Sequence, residues 1–194
     1  MKVVLFLFSL LLASPAFAQS VEDGYTAYDD GDYEKAKSIF HALAEKGNAK
    51  AMNAIGLLYS WGKAYPHNRK VACDWYEKAA HLGYSSAQNN FGLCFDDEGG
   101  RNKSAKNFIY WLTKAAEQSH IGAQLSLGTW YLKTNEEKAI YWTKKAAAQN
   151  STTARVNLWL FDKEQDISPV SFLEITCVFT KVYLLKLGNH SCDN

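Results

Sequence analysis

The sequence predicts an all-α fold, a right-handed α-solenoid built from helix-turn-helix repeats and closed by an atypical C-terminal cap. The first observation is that segments beginning at Ala51, Ala87 and Ala123 repeat one pattern with a period of 36 residues. The second is that glycines and aromatic residues keep the same register within these segments. The third is that small and apolar residues recur at helical spacing in each half of a unit. Stacked helix pairs explain all three.

Each unit is predicted to contain two helices separated by a turn. In the first full unit, the first helix carries its apolar residues at Ala51, Ile55, Leu58 and Tyr59. The second helix follows a turn that contains Pro66, and its start would be capped by Asn68. Its small and apolar positions are Ala72, Trp75, Tyr76, Ala79 and Ala80.

Four residues are predicted to end the second helices of successive units. Glycine and asparagine suit the left-handed conformation that follows a helix, and serine is the weaker substitute. These residues are Gly47, Gly83, Ser119 and Asn150.

The recurring glycines and tryptophans are interpreted as packing residues. A glycine inside a helix costs about 1 kcal/mol relative to alanine, so close helix packing should offset that cost. Trp75, Trp111 and Trp142 keep the repeat register. We interpret them as core residues, with an aromatic ligand cage as the less favoured alternative.

The N-terminal stretch fits the same pattern in a shorter form. Gly24 and Ala36 match Gly56 and Ala72, and the tight turn at 30–32 shortens the spacing between them. The first helix would therefore start almost at Gln19.

The first eighteen residues have the features of a secretory signal peptide. Lys2 provides the positive charge, Val3–Ala13 is apolar apart from one serine, and Ala16–Ala18 offers a cleavage motif. We expect cleavage after Ala18 and a periplasmic or secreted mature protein. The alternative of a membrane anchor is disfavoured, because the apolar run is too short to cross about 30 Å of hydrocarbon.

The charge balance argues against some partners. The full chain has 21 basic and 20 acidic residues, so removal of Lys2 leaves a net charge near zero. Nucleic acid is therefore an unexpected partner, since phosphate binding requires a basic surface. The oligomeric state is left open.

The repeated residues carry a resemblance to a known family. The pattern Ala-x-x-x-Leu-Gly-x-x-Tyr, followed by Lys-Ala-x-x-Trp-Tyr-x-Lys-Ala-Ala, resembles the Sel-one-like repeat, a relative of the tetratricopeptide repeat. Phe108 departs from the family, which prefers alanine there, and residues 98–100 shift the turn glycine. The predicted solenoid covers 19–162, with units at 21–50, 51–86, 87–122 and 123–153 and a partial unit at 154–162.

The segment 163–194 loses the repeat pattern. Ser168 and Pro169 could start a capping helix that ends at Gly188. Residues 172–183 are also rich in β-branched and aromatic residues, which favours a strand. We favour a divergent capping helix, because a solenoid must cover its terminal apolar face.

Four cysteines leave their pairing open. Cys73 and Cys94 lie on helices expected to be neighbours, so a bridge between them is geometrically possible, and Cys177 and Cys192 would form the other pair. The alternative is that Cys73 and Cys94 are buried thiols, since Ile109 occupies the position equivalent to Cys73.

No motif for catalysis, a metal or a cofactor stands out in the sequence. We therefore expect a non-enzymatic protein without a cofactor. One exported, cysteine-rich branch of the family binds or hydrolyses β-lactams, and its bridging cysteines fall where this chain has alanines such as Ala51 and Ala80. That departure disfavours the enzymatic alternative.

The resemblance implies that the first helices line a partner-binding groove. Asn53 and Asn89 share one repeat position, where paired amides could clamp a peptide backbone or could simply face water. Trp61 is the expected hot spot if it is exposed, or else a cover over the turn. The expected groove residues are Asn53, Leu57, Ser60 and Trp61, then Asn89, Leu93, Asp96 and Asp97, then Leu125, Thr129, Leu132 and Lys133.

The expected function is binding of another protein or peptide, an effector or an envelope component, without a membrane anchor. The resemblance implies an adaptor, scaffold or inhibitor in the bacterial envelope, such as an immunity protein against a secreted toxin like a type VI lipase. The alternatives are a β-lactam-binding or β-lactam-hydrolysing protein and a secreted factor directed at a host.

Overall fold

The computed structural model describes residues 19–96 and 99–161, together with Cys177. Within these residues every regular element is an α-helix, which confirms the predicted all-α class. The helices are α1 Val21–Asp29, α2 Tyr33–Ala44, α3 Ala49–Trp61, α4 Arg69–His81, α5 Ser85–Leu93, α6 Ala105–Glu117, α7 Ile121–Tyr131, α8 Glu136–Ala147 and α9 Thr152–Phe161.

The helices stack in chain order as antiparallel pairs. Each helix packs against the one before it and the one after it, and α3 also contacts α5 directly. The odd-numbered helices are thus the first helices of successive units and form one face, here called the first-helix face. The second helices, α2, α4, α6 and α8, form the opposite face.

Small residues allow this close stacking. Ala51, Ala87 and Ala123, which begin the three repeated segments, are completely buried. A Cβ atom on Gly56 would collide with the ring of Tyr76 on the paired helix. The glycines are therefore packing residues, as the repeat pattern predicts, and the equivalent contacts join Gly92 to Leu112 and Gly128 to Thr143.

The helix ends also follow the sequence. The Asn68 side chain accepts a hydrogen bond from the backbone N–H of Val71 and caps α4. Ser20 and Asp23 form a reciprocal capping box at the start of α1. The four residues predicted to follow second helices all have positive φ: Gly47 83°, Gly83 85°, Ser119 64° and Asn150 64°.

Two glutamines fix the register between units. Gln88 on α5 donates from Nε2 to the carbonyl oxygen of Ala80 at the end of α4, at 3.3 Å. Gln118, just after α6, donates to Oε1 of Gln88 at 2.7 Å. The next unit repeats the arrangement, with Gln124 donating to the Ala116 carbonyl at 3.0 Å and Gln149 donating to Gln124 at 2.8 Å. These amides satisfy carbonyl groups that would be left without partners at the helix ends.

The turn between α3 and α4 is anchored by aromatic side chains. The rings of Tyr59 and Tyr65 are stacked with centroids 4.0 Å apart. The Tyr65 hydroxyl lies 2.6 Å from Nε2 of His41 on α2. Burial lowers the pKa of His41, and its ring shares this hydrogen bond with the phenol.

A disulfide joins two consecutive units. Cys73 on α4 and Cys94 at the end of α5 form the bridge, at a sequence separation of 21. The structure thus has the disulfide and not the pair of buried thiols. Cys177 is also disulfide-bonded, and Cys192 lies outside the described residues. Apart from Cys177, the segment 163–194 also lies outside them, so the capping helix there stays a prediction.

An ion-pair fork holds the turn that follows Cys94. Arg101 places its guanidinium 2.8 Å from the Asp74 carboxylate and 2.6 Å from that of Glu77, both on α4. The half-buried guanidinium and the disulfide therefore fix the turn after α5 against α4 from two sides.

Candidate functional site

Two cavities open between consecutive first helices. The N-terminal cavity lies between α1 and α3 and has a volume of about 210 Å³. Its walls consist almost entirely of carbon atoms. They come from Tyr25, Tyr28, Asp29, Phe40, Ala54, Leu57 and Trp61.

The N-terminal cavity is aromatic, and nearly all of its exposed lining is apolar. Trp61 is 56% exposed at its rim, and its ring centroid lies 6.0 Å from that of Tyr28. Tyr25 packs edge-on against Phe40, with centroids 5.2 Å apart. Burial raises the pKa of Tyr25 to about 12, so its phenol stays protonated near neutral pH. The cavity therefore suits an apolar side chain.

The C-terminal cavity lies between α5 and α7 and is larger, at about 570 Å³. Phe108 and Trp130 form its aromatic floor, with ring centroids 4.7 Å apart. Polar groups stand around that floor. The full lining is Leu93, Asp96, Phe108, Ser126, Thr129, Trp130, Lys133 and Thr134.

The slot between α3 and α5 is closed by asparagines. Asn90 donates from Nδ2 to Oδ1 of Asn53 at 3.0 Å, and Asn89 donates to Oδ1 of Asn90 at 3.2 Å. Asn53 is 3% exposed and Asn89 is 9% exposed. Within 19–96 and 99–161, no group forms a hydrogen bond with the buried Oδ1 of Asn89. The asparagines therefore link neighbouring units to each other.

The expectation that Asn53, Asn89 and Leu125 face an open groove is wrong. All three side chains are buried, and Leu125 is 2% exposed. The reason is that this repeat position points towards the next first helix and not towards solvent. Asn53 and Asn89 therefore neither face water nor present a ladder of open amides to a peptide.

The other expected groove residues are distributed around the two cavities. Leu57 and Trp61 line the N-terminal cavity, and Trp61 is exposed and does not cover the turn. Ser60 is half-buried and hydrogen-bonds with the Tyr76 phenol. Asp97 lies outside the described residues. The C-terminal cavity brings together Leu93, Asp96, Thr129 and Lys133.

Leu132 lies away from the C-terminal cavity. Its side chain is 37% exposed, and it lines a third cavity of about 310 Å³ beside α8 and α9.

Several cavity residues were not anticipated from the sequence. Tyr25 and Tyr28 belong to the shortened first unit. The match of Gly24 to Gly56 puts them at the repeat positions of Leu57 and Ser60, which was the available signal. Phe108 replaces the alanine preferred at its repeat position, and that departure was the available signal. Its larger ring fills the floor of the C-terminal cavity beside Trp130.

The described residues contain neither a grouped set of metal ligands nor a membrane-spanning helix. Across 19–96 and 99–161, no three histidine, cysteine, aspartate or glutamate side chains are grouped so as to hold a metal ion. In the same part of the chain, every helix falls short of the length and hydrophobicity needed to cross a membrane.

Solved structures share the fold. A Sel1 repeat protein from Oxalobacter formigenes is 32% identical with a TM-score of 0.68, over 73% of this chain and 60% of that one. A protective antigen of uropathogenic Escherichia coli strains that displays an SLR fold is 26% identical with a TM-score of 0.67. That match covers 86% of this chain and 36% of the antigen.

Two curated proteins are similar over part of the chain. Chitin synthase regulatory factor 3 of Schizosaccharomyces pombe is 31% identical over 102 residues, which cover 49% of this chain and 11% of that protein. An F-box protein of Arabidopsis thaliana is 31% identical over 74 residues, covering 38% of this chain and 20% of that one. The chain thus spans a small fraction of the length of these relatives.

The match to a protein-family model agrees with the helix pairs. The Sel1 repeat model matches 49–84, 109–120 and 123–151. The first and last of these ranges coincide with α3–α4 and α7–α8. Over these ranges this chain therefore matches the Sel1 repeat model, and its described residues have the stacked helix-pair fold of a solved Sel1 repeat protein.

Proposed function

We propose that this protein binds another protein through its first-helix face and acts as an adaptor, scaffold or inhibitor without catalysis of its own. The observation that carries this proposal is Trp61, a largely exposed indole at the rim of a carbon-walled cavity. Tryptophans beside a desolvated pocket are typical hot spots of protein interfaces.

The size of the N-terminal cavity supports a protein partner. Its volume of about 210 Å³ is below the range of roughly 300–1,000 Å³ that is usual for small-molecule pockets. A single apolar side chain of a partner matches this space. Chitin synthase regulatory factor 3, one of the similar proteins, is by name a regulator of an enzyme, which supports a role exerted through another protein.

We place the site of action outside the cytoplasm. The pattern of residues 1–18 is that of a signal peptide. The Cys73–Cys94 disulfide supports the same location, because structural disulfides persist in oxidising compartments. Within a bacterial envelope, neutralisation of a secreted toxic effector is the specific role that we favour.

Affinity capture with matched variants tests the binding proposal. Residues 19–194 are immobilised and exposed to an envelope extract of the source organism, alongside the variants Trp61→Ala and Tyr141→Ala. Tyr141 is 51% exposed on the second-helix face and so matches Trp61 in exposure. We expect one stoichiometric partner with the wild type and with Tyr141→Ala.

The capture of that partner should fall at least about tenfold with Trp61→Ala, as expected for a hot-spot truncation of about 2 kcal/mol. Equal capture by both variants would refute binding at this face. Export is tested separately by fractionation and by N-terminal sequencing of the mature protein, which should begin at Gln19. Export would be refuted if the protein were found in the cytoplasmic fraction and its N-terminal sequence still began at Met1.

A further inference from the structure

We infer that the C-terminal cavity holds an extended segment of the partner in which an apolar side chain is flanked by a cation on one side and an anion on the other. This inference rests on the proposed function and assigns the chemistry of the bound segment. It is carried by the floor of the cavity, by the two charges at its rim and by the closed slot beside it.

The floor selects an apolar anchor. Phe108 is 5% exposed and packs against Trp130, and Leu93 completes the apolar surface. The volume of about 570 Å³ exceeds that of the N-terminal cavity, so a large side chain together with part of its main chain can enter. Burial of such a side chain supplies affinity without specifying its neighbours.

The rim carries two opposite charges on different walls. Asp96 follows the end of α5, and Lys133 follows the end of α7. Both are exposed, and among the described residues neither forms an ion pair with the other or with a third residue.

The geometry of an extended chain fits these three contacts. Residues at positions i−2, i and i+2 of a strand point to the same side. With a rise of about 3.3 Å per residue, the outer two are separated by about 13 Å. Asp96 after α5 and Lys133 after α7 line the same cavity, so a cation and an anion on either side of the anchor can each meet the opposite charge.

The adjacent slot cannot accept the same segment. The hydrogen bond from Asn90 to Asn53 closes the space between α3 and α5, and Asn89 bonds to Asn90 within α5. The partner must therefore bridge that slot or engage the C-terminal cavity by itself. This confines the charged motif to the α5–α7 region.

Charge reversal tests the inference. A displayed library of random twelve-residue peptides is selected on intact residues 19–194, and the best peptide is then synthesised. We expect an apolar residue with a basic residue two positions to one side and an acidic residue two positions to the other. Asp96→Lys alone or Lys133→Asp alone should weaken binding of that peptide at least about tenfold, because attraction becomes repulsion.

The double variant Asp96→Lys/Lys133→Asp provides the matched control. It should bind a peptide with the two charges exchanged about as tightly as the wild type binds the original, since both substitutions lie on exposed side chains that preserve the fold. Loss of both peptides by the double variant would overturn the inference.

Other outcomes separate this inference from the proposed function. Selected peptides that ignore both charge reversals but are lost with Trp61→Ala would overturn the inference and leave the proposed function standing. A dimer of the chain itself that Asp96→Lys dissociates would also overturn it, since the occupant would then be a second copy. Absence of both a selected peptide and a captured partner would overturn both.

Discussion

The substitution Ser126→Asn should stabilise the protein by completing a hydrogen-bond pattern that one unit lacks. Asn53 and Asn89 are equivalent positions 36 residues apart, as are Asn90 and Ser126. Asn90 donates to Oδ1 of Asn53 at 3.0 Å. Oδ1 of Asn89 is buried without a partner among the residues that the structure describes, and the residue equivalent to Asn90 in the next unit is the shorter serine. An asparagine at 126 would present its amide to that oxygen.

The expected gain follows from the cost of the unsatisfied oxygen. A buried acceptor without a partner costs about 1–3 kcal/mol. Ordering the longer asparagine side chain consumes part of this, since fixing a side chain costs up to about 1.5–2 kcal/mol. A net stabilisation of about 1 kcal/mol should raise the Tm by roughly 2–4 °C for a domain of this size.

Thermal and urea unfolding followed by circular dichroism measure this gain. Ser126→Ala is the matched control and should leave the Tm nearly unchanged, because Ser126 donates nothing to Asn89. The gain from Ser126→Asn should disappear in an Asn89→Ala background, as a double-mutant cycle requires. The reasoning is refuted if Ser126→Asn is no more stable than Ser126→Ala, or if the gain survives removal of Asn89.

Three further outcomes are expected. Replacing Cys73 and Cys94 together by alanine should lower the unfolding free energy by about 3 kcal/mol, from the entropy of a loop of 21 residues; equal urea midpoints with and without reductant would contradict this. Gly56→Ala should destabilise by about 2 kcal/mol because its Cβ meets Tyr76, and most of that loss should vanish in a Tyr76→Ala background. His41 has a lowered pKa in the folded state, so the unfolded chain binds its proton first and stability should fall as the pH drops below the ordinary pKa of histidine. His41→Asn should flatten that part of the stability–pH curve, and an unaltered curve would exclude His41 as its source.

The repeat period was sufficient to predict the helix pairs, because its constraints act within and between adjacent helices. A glycine inside a helix costs stability unless close packing offsets the loss, so Gly56 was predicted to face its paired helix, and it faces Tyr76. Ser119 and Asn150 had to adopt positive φ to end their helices, and both do. These features depend on local backbone chemistry, which a single sequence contains.

The direction in which first-helix side chains point could not be predicted as well, because it depends on how far each unit is rotated relative to the next. Asn53 was expected in a groove and is buried. The apolar Leu125 at the same repeat position was a sign of an interior environment. Tyr25 follows Gly24 as Leu57 follows Gly56, so the repeat register contained a signal for it. Phe108 stands where the family prefers alanine, and the repeat pattern alone does not say which space the larger ring fills.

The disulfide between Cys73 and Cys94 could not be predicted from the sequence for a different reason. Cys73 occupies a position that holds isoleucine at 109, so the same interior slot accepts a thiol or an aliphatic group. Only the approach of Cys94 from the next unit decides between a bridge and two thiols.

Site-specific photo-crosslinking tests most directly whether the first-helix face holds the partner. A benzophenone amino acid is placed at Trp61 or Thr129 on that face, and at Tyr110 or Tyr141 on the second-helix face, where both side chains are exposed. After irradiation in the native compartment, we predict one covalent adduct of the same mass from Trp61 and Thr129 and none from Tyr110 or Tyr141. Adducts formed at Tyr110 and Tyr141 but absent at Trp61 and Thr129 would contradict binding at the first-helix face.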